Sequence, residues 1–444
     1  PWYMVAFGMI GASISGVTFV SVPGMVLNTQ MTYLQMCLGF IPGYFAVAFV
    51  LLPVYYKLRL TTIYTYLRHR LGRKSYLTGS GFFFLSKLTG SAVKFYVVCA
   101  ILQHYFLQSF GVPFPVTVGV LVILIWLYTR RGGIRTLVFT DVFQTFCMLA
   151  ALLLIVWQVM SQLNMSVPQA ISAIAADSHS RIFVFTDMAS TQNFFKQFLS
   201  GMFVVIVMTG LDQDMMQKNL TCKSLRDAQK DMCAYGFAFL PVNLLLLALG
   251  VLLVLLSGKM GMPLPAKSDD MMLMFAAGGT LGPVAQVLFV VGIVAACFSS
   301  ADSALTSLTT SFCVDVCRRA DDERLRKRAH LLIALCFALF IVAFDAFNST
   351  SLIDAVYTLC AYTYGPLLGM FAYGLFTRKS VADRWVPYVA IASPLVCIVV
   401  AYVSERWLGY TFGYEMLLIN GMMTFAGLWL TQAIAGHGHE SVGA

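Results

Sequence analysis

The stretch Ala295-Ala296-Cys297-Phe298-Ser299-Ser300-Ala301-Asp302-Ser303-Ala304-Leu305-Thr306-Ser307 concentrates hydroxyls and one carboxylate in an otherwise apolar run. On a helix, Ser299, Ser300 and Ser303 lie at i, i+1 and i+4 and share one side. A small hard cation that sheds its water needs several oxygen ligands. Hydroxyls on one helix, with backbone carbonyls freed where another helix breaks, supply them, and sodium fits that set. The alternative is that the hydroxyls simply bond back to the preceding turn of their own helix. Asp302 weighs against that alternative, because an ionisable side chain within a membrane is costly unless paired and is a functional candidate by default. Asp141 is a second such carboxylate. The two are candidates to share a cation or a proton, or else to pair with a loop arginine at the membrane edge.

Three other clusters carry polar chemistry inside apolar runs. Gly8, Gly11, Ser13, Ser15, Gly16, Thr18, Ser21, Pro23 and Gly24 crowd the first run, and Thr209-Gly210-Leu211-Asp212-Gln213-Asp214 interrupts a later one. Both are predicted to be broken helices, which at membrane depth occur only where backbone lines a cavity or is buried in protein. Close helix packing through small residues explains the first cluster but not the carboxylates of the second; a loop placement of those carboxylates near the cytoplasmic end remains the alternative. Lys87 and Lys94 are seven residues apart, two helical turns, and so lie near one face. Lys94 is too far from either end of its run to snorkel, so it is expected to meet a buried carboxylate such as Asp302 or an anionic substrate.

The elements that position these groups follow from composition. The 444 residues are 59% hydrophobic and 11% charged, against about 25% charged in an ordinary soluble domain. A soluble globular chain is excluded. Apolar runs of spanning length fall at about 4–27, 32–56, 79–108, 112–129, 137–161, 195–217, 230–257, 281–314, 329–346, 351–377, 385–404 and 409–434, here called spans 1 to 12. The net charge of +9 does not indicate nucleic acid, because the cations sit in short clusters between apolar runs. Those clusters follow the even-numbered spans: Lys57 to Lys74, Arg130 to Arg135, Lys218 to Lys230, Arg318 to Arg328 and Arg378 to Arg384. The other side carries only Arg181, Lys196, Lys259, Lys267 and Arg406. The positive-inside rule then places both ends of the chain, and so the C-terminus, in the cytoplasm. The eleven cysteines imply no disulfide framework, since most lie within apolar runs, and Cys313 with Cys317 has no second pair nearby to complete a metal site.

Counting from span 1, spans 1 to 5 open with a broken helix entering from the cytoplasm and spans 6 to 10 with one entering from outside. That is the layout of an inverted repeat with its site at the midplane. The expected organisation is a first repeat over residues 1–161, a second over 195–378, and two peripheral helices with a cytoplasmic tail over 379–444. The chain opens on Pro1-Trp2-Tyr3 and runs almost directly into span 1, with no initiator Met or charged leader, so span 1 is read as a functional helix and an upstream segment is expected to be absent.

At these residues the chain resembles the sodium/solute symporter family, whose members include bacterial sodium/galactose and sodium/sialic acid transporters. The resemblance covers nearly the whole chain. Its carriers are Trp2 with Gly11-Ala12-Ser13-Ile14-Ser15-Gly16-Val17-Thr18-Phe19, the stretch from Gly132-Gly133 through Phe139-Thr140-Asp141 to Gln144, Asp212-Gln213-Asp214-Met215-Met216-Gln217-Lys218, and Ser299-Ser300. The resemblance implies an all-α polytopic membrane protein with a leucine-transporter-type 5+5 inverted repeat, two extra C-terminal helices, and the family's leading helix missing. It implies a sodium ion between spans 1 and 8, on the carbonyls of Gly11, Ile14 and Ala296 and the hydroxyls of Ser299 and Ser300. Some members bind a second sodium at an aspartate of the fifth core helix; Asp141 matches it and Ser303 matches one of its hydroxyl ligands. Asp302 stands where relatives more often have Ser or Thr. The extra carboxylate would strengthen sodium binding, take up a proton, or bind Lys94.

The family's substrate pocket lies between the broken helices, which makes Ser13, Ser15, Thr18, Gln35, Thr89, Lys94, Asp212 and Gln213 the candidates. Where sialic acid transporters carry an arginine in span 3, this chain has Thr89 or Gly90, which weakens sialic acid unless Lys87 or Lys94 serves instead. The expected function is sodium-coupled import of a small polar solute, such as a sugar, a sugar acid or a polyol, by a monomer in the bacterial inner membrane. The rivals are a proton-coupled transporter of the same fold and a sensor that binds solute without moving it. No catalytic constellation is present to support an enzyme.

Overall fold

The computed structural model describes residues 2–58, 60, 62–129, 134–319, 321–347 and 351–440. Arg59, Arg130, Arg131, Gly132 and Gly133 lie outside the described residues. Every regular element among those described is helical. Seven of these helices are long and apolar enough to cross a membrane: Tyr33–Leu58, Arg73–Phe110, Asp141–Leu163, Leu225–Met260, Pro283–Val316, Glu323–Phe347 and Asp383–Leu408. They are spans 2, 3, 5, 7, 8, 9 and 11. Spans 1 and 6 are bent pairs, Trp2–Gly11 with Gly16–Thr29 at 58° and Phe194–Gly210 with Gln213–Asn219 at 72°. Span 4 is the 16-residue helix Phe114–Thr129 and span 12 the helix Met416–Glu440. Span 10, which the sequence suggests is continuous, is two helices, Leu352–Thr363 and Gly365–Phe376. Pro366 in the first turn of the second explains the interruption, since it carries no N–H to continue the ladder.

The two broken spans settle their backbone accounts differently. In span 6, Leu211 N turns back to Ile206 O at 3.1 Å and leaves the carbonyls of Gly210 and Leu211 without helical donors. Tyr55 donates to Gly210 O and Tyr64 to Leu211 O, each at 2.8 Å. Asp212 then caps the second half, accepting from Asp214 N at 2.9 Å and Met215 N at 3.1 Å. In span 1, Ser15 N turns back to Ser13 O at 2.9 Å instead of reaching Gly11. Gly11 O accepts from Gln144 Nε2 of span 5 at 3.0 Å instead. Non-helical backbone is therefore held by side chains of neighbouring spans, as it must be where water is scarce.

Close backbone contact brings these spans together. Gly39 of span 2 faces the carbonyl of Phe198 in span 6, and Gly201 of span 6 faces the carbonyl of Met36 in span 2. A Cβ at either glycine would fall on main-chain atoms, which cannot move aside as a side chain would. Gly39→Ala is therefore expected to lower stability by about 1–3 kcal/mol, the usual cost of overpacking a tight contact. A thermal melt of the purified variant in detergent checks it, and an unchanged midpoint would show that the crossing has slack.

Candidate substrate and cation site

Span 6 contributes its acids at the break. Asp212 and Asp214 are both buried and lie on either side of Lys87 from span 3. Lys87 Nζ is 2.8 Å from Asp214 Oδ2 and 3.3 Å from both Asp212 oxygens. Tyr364, at the break of span 10, donates to Asp212 Oδ2 at 2.7 Å. Asp212 thus ties together spans 3, 6 and 10 while capping its own helix. The capping role requires an acceptor at that position, and the lysine supplies the countercharge that burial demands.

Spans 5, 6 and 8 meet at a second polar knot. Lys218 Nζ lies 2.8 Å from Asp141 Oδ2, with Asp141 only 1% exposed and Lys218 3%. Ser299 donates to the other oxygen, Asp141 Oδ1, in a short hydrogen bond. The neighbouring hydroxyls of Ser300 and Ser303 are buried and have no hydrogen-bond partner among the described residues. Neither bonds back to its own helix, although Thr309 and Thr310 further along do so at 2.6 and 2.9 Å. Buried hydroxyls normally find partners, and these two leave oxygen atoms beside a broken helix that are chemically able to join the several ligands a dehydrated cation needs.

A central cavity collects these groups. Its volume, counted as space open to the centre of a water molecule, is about 120 Å³. Ser13, Ser15 and Thr18 of span 1, Lys87 and Lys94 of span 3, Asp212, Asp214 and Lys218 of span 6, and Ser299, Ser300 and Ser303 of span 8 all line it. Tyr44, Tyr357 and Tyr364 complete the wall. Tyr357 also lines a second, outer cavity of about 310 Å³, and its hydroxyl meets that of Tyr33 at 2.7 Å. This tyrosine pair stands between the two spaces.

The structure brings most of the sequence candidates together and leaves others apart. Ser13 faces the cavity with its hydroxyl on that of Tyr235. Gln35 lies off the cavity: its amide donates to Gln192 O at 2.9 Å and accepts from Val184 N at 3.0 Å, fastening the loop between spans 5 and 6. Thr89 donates to Leu85 O of its own helix at 2.8 Å. Two residues from Lys87, it stands on the opposite side of span 3. Gln213 accepts from Ile63 N at 2.8 Å and fixes the segment before span 3. Gly11 and Ile14 line a small apolar crevice against Thr145 and Met148 of span 5, leaving their backbone as the part relevant to a cation. Ala296 is fully buried in span 8. Asp302 is buried next to Ala301 and forms no ion pair with Lys94 or any other described residue, so the expected Lys94 to Asp302 pair is absent from this arrangement. Nor does Asp141 take a loop arginine. Its partner is Lys218, which the loop count assigns to the cytoplasmic surface and which the bend in span 6 turns into the core.

A helical bundle with two broken spans meeting at a central polar cavity is a polytopic membrane fold of the leucine-transporter type. Comparison with known proteins gives its family: the sodium:solute symporter family model matches residues 1–383, and the chain belongs to that family. The family's proteins are transporters, not enzymes. The chain is 26% identical to the sodium-dependent multivitamin transporter of Oryctolagus cuniculus over 84% of its own length and 59% of that protein's. It is 24% identical to the sodium/sialic acid symporter NanT of Aliivibrio fischeri, over 96% of this chain and 85% of that one. The chain thus spans less than two thirds of the multivitamin transporter but most of NanT. Among solved structures, a substrate-bound outward-open sodium-coupled sialic acid symporter matches with a TM-score of 0.80 at 19% identity, over 98% of this chain and 90% of the other. Mhp1, a nucleobase-cation-symport-1 family transporter, matches with a TM-score of 0.61 at 14% identity, over 96% and 90%.

Proposed function

We propose that this protein is a sodium-coupled symporter that imports a small polar organic solute by alternating access. The observation that carries the reading is the pair of orphaned hydroxyls, Ser300 and Ser303, buried in span 8 beside the break of span 1. The main sodium would take the carbonyls of Gly11, Ile14 and Ala296 and the hydroxyls of Ser299 and Ser300. Asp141, Asp302 and Ser303 are the ligands of a second cation, if one is carried. Sodium bound across spans 1 and 8 would hold the outward-open state, and its release inside would loosen the seam and free the solute. Coupling is then the difference in sodium affinity between two states. The relatives support both halves of the reading: sodium is named in each of these four, and three of them are named for organic cargoes, sialic acid, vitamins and monocarboxylates, the fourth for iodide. The protein is read as a monomer of a bacterial inner membrane, and the charge asymmetry of its loops puts its C-terminus inside.

Asp302 favours one second reading, in which the coupling ion is a proton, because its carboxylate is buried without an ion-pair partner among the described residues. Uptake into sealed proteoliposomes separates the two. With sodium outside and choline inside, solute is expected to accumulate above its external concentration, and replacing sodium by choline at fixed pH is expected to abolish accumulation. Uptake that ignores sodium and follows an imposed pH gradient would establish the proton reading instead.

A further inference from the structure

The ammonium of Lys218 lies 2.8 Å from Asp141 Oδ2, and both residues are almost wholly buried. Local geometry explains the reach. Asp212 caps the second half of span 6, Gln213–Asn219, in which Asp214 and Lys218 fall at i and i+4 on one face. Asp214 meets Lys87 of span 3, and Lys218 crosses to Asp141 of span 5.

Both carboxylate oxygens of Asp141 are thereby engaged, since Ser299 donates to Oδ1 while the ammonium covers Oδ2. A sodium ion bound there would sit against a fixed cation. Like charges repel most strongly in a low-dielectric interior, so ammonium and sodium compete for this acid. Ser299 connects the pair to the seam of spans 1 and 8. Its proton goes to Asp141, which leaves its lone pairs free for a cation in that seam.

The charges of the region point the same way. Asp212 and Asp214 offset Lys87 and Lys94, which line the same cavity, and Lys218 offsets Asp141. Asp302, buried close to Asp141 and Lys218, leaves one negative charge over when ionised. One monovalent cation balances it; a second would leave uncompensated positive charge in a buried space.

We propose that the Lys218 ammonium occupies Asp141 in place of a sodium ion, so that the protein binds a single sodium, and that Asp141 is a positioning residue that serves this ion through Ser299. The inference rests on the reading of sodium-coupled symport, and it fixes the cation number which that reading leaves open. With the ammonium removed, Asp141 and the unpartnered Ser303 hydroxyl, one helical turn from Ser299, supply oxygens for a further ion.

Equilibrium dialysis of radiolabelled sodium against the purified full chain in mildly alkaline buffer counts the ions. Wild type is expected to bind about one sodium per chain and Lys218→Met about two. The melting temperature of Lys218→Met should fall in choline chloride and recover in sodium chloride, as the ion refills the place of the ammonium. Lys218→Met with Asp141→Asn, which removes the pair altogether, is expected to return the count to about one and to lose that recovery. Two ions on wild type, an unchanged count in Lys218→Met, or a Lys218→Met protein that sodium does not restabilise would each overturn the proposal. No sodium on wild type but one on Lys218→Met would sink the symport reading and leave the Lys218 assignment standing; none on either would overturn both.

Discussion

Ser300→Ala is expected to weaken sodium binding by about 10- to 100-fold, the scale of one lost interaction with a charged group. The same substitution should leave the sodium-free protein unharmed. Ser300 Oγ has no partner among the described residues, so removing it deletes an unsatisfied buried group rather than a contact. The two halves together are diagnostic. In choline chloride the melting temperature of Ser300→Ala should equal or exceed that of wild type, and in sodium chloride its rise should require much more salt. Ser303→Ala, whose hydroxyl is likewise unpartnered, serves as the comparison for the second cation. A hydroxyl with a structural role would show the reverse pattern, with stability lost in choline and the sodium response preserved.

The second large effect concerns the ion pair between spans 5 and 6. Lys218→Met would leave Asp141 buried and uncompensated, and Asp141→Asn would do the same to Lys218. Each is expected to destabilise the protein by about 3–5 kcal/mol, the range for breaking one side of a buried pair. Removing both charges, in Lys218→Met with Asp141→Asn, should recover most of that loss, because the pair itself adds little once its desolvation is counted. A double-mutant cycle read by denaturation in detergent measures the coupling. Additive losses would mean that the two residues act independently, against the 2.8 Å contact between them.

Much of the architecture is legible in the chain because bilayer thickness fixes the length of each apolar run. The breaks in spans 1 and 6 are legible too, since clustered glycines, serines and acids at membrane depth rarely fit an unbroken span. Span 10 hides its break: Tyr364-Gly365-Pro366 sits within an apolar run and carries no charge to mark it. The place of Lys218 is illegible for a geometric reason. Six residues after Asp212 in a straight helix it would approach the surface, but the 72° bend returns it to the core. Gln35 and Gln213 read as pocket residues because the resemblance places the substrate between the broken helices, yet both hold backbone of neighbouring segments. The tyrosines that hold the break of span 6, Tyr55 and Tyr64, and those that complete the cavity wall, Tyr44, Tyr357 and Tyr364, give no local signal, because their rings fit the apolar pattern and only the packed structure shows where each hydroxyl ends.

The most direct test of sodium coupling through the seam of spans 1 and 8 is equilibrium binding of radiolabelled sodium to the purified protein, with unlabelled sodium, potassium and choline as competitors. Saturable binding displaced by sodium alone, and lost in Ser300→Ala, is the predicted result. Sodium binding that is absent from neutral to alkaline pH, or that is unchanged in Ser300→Ala, would contradict it.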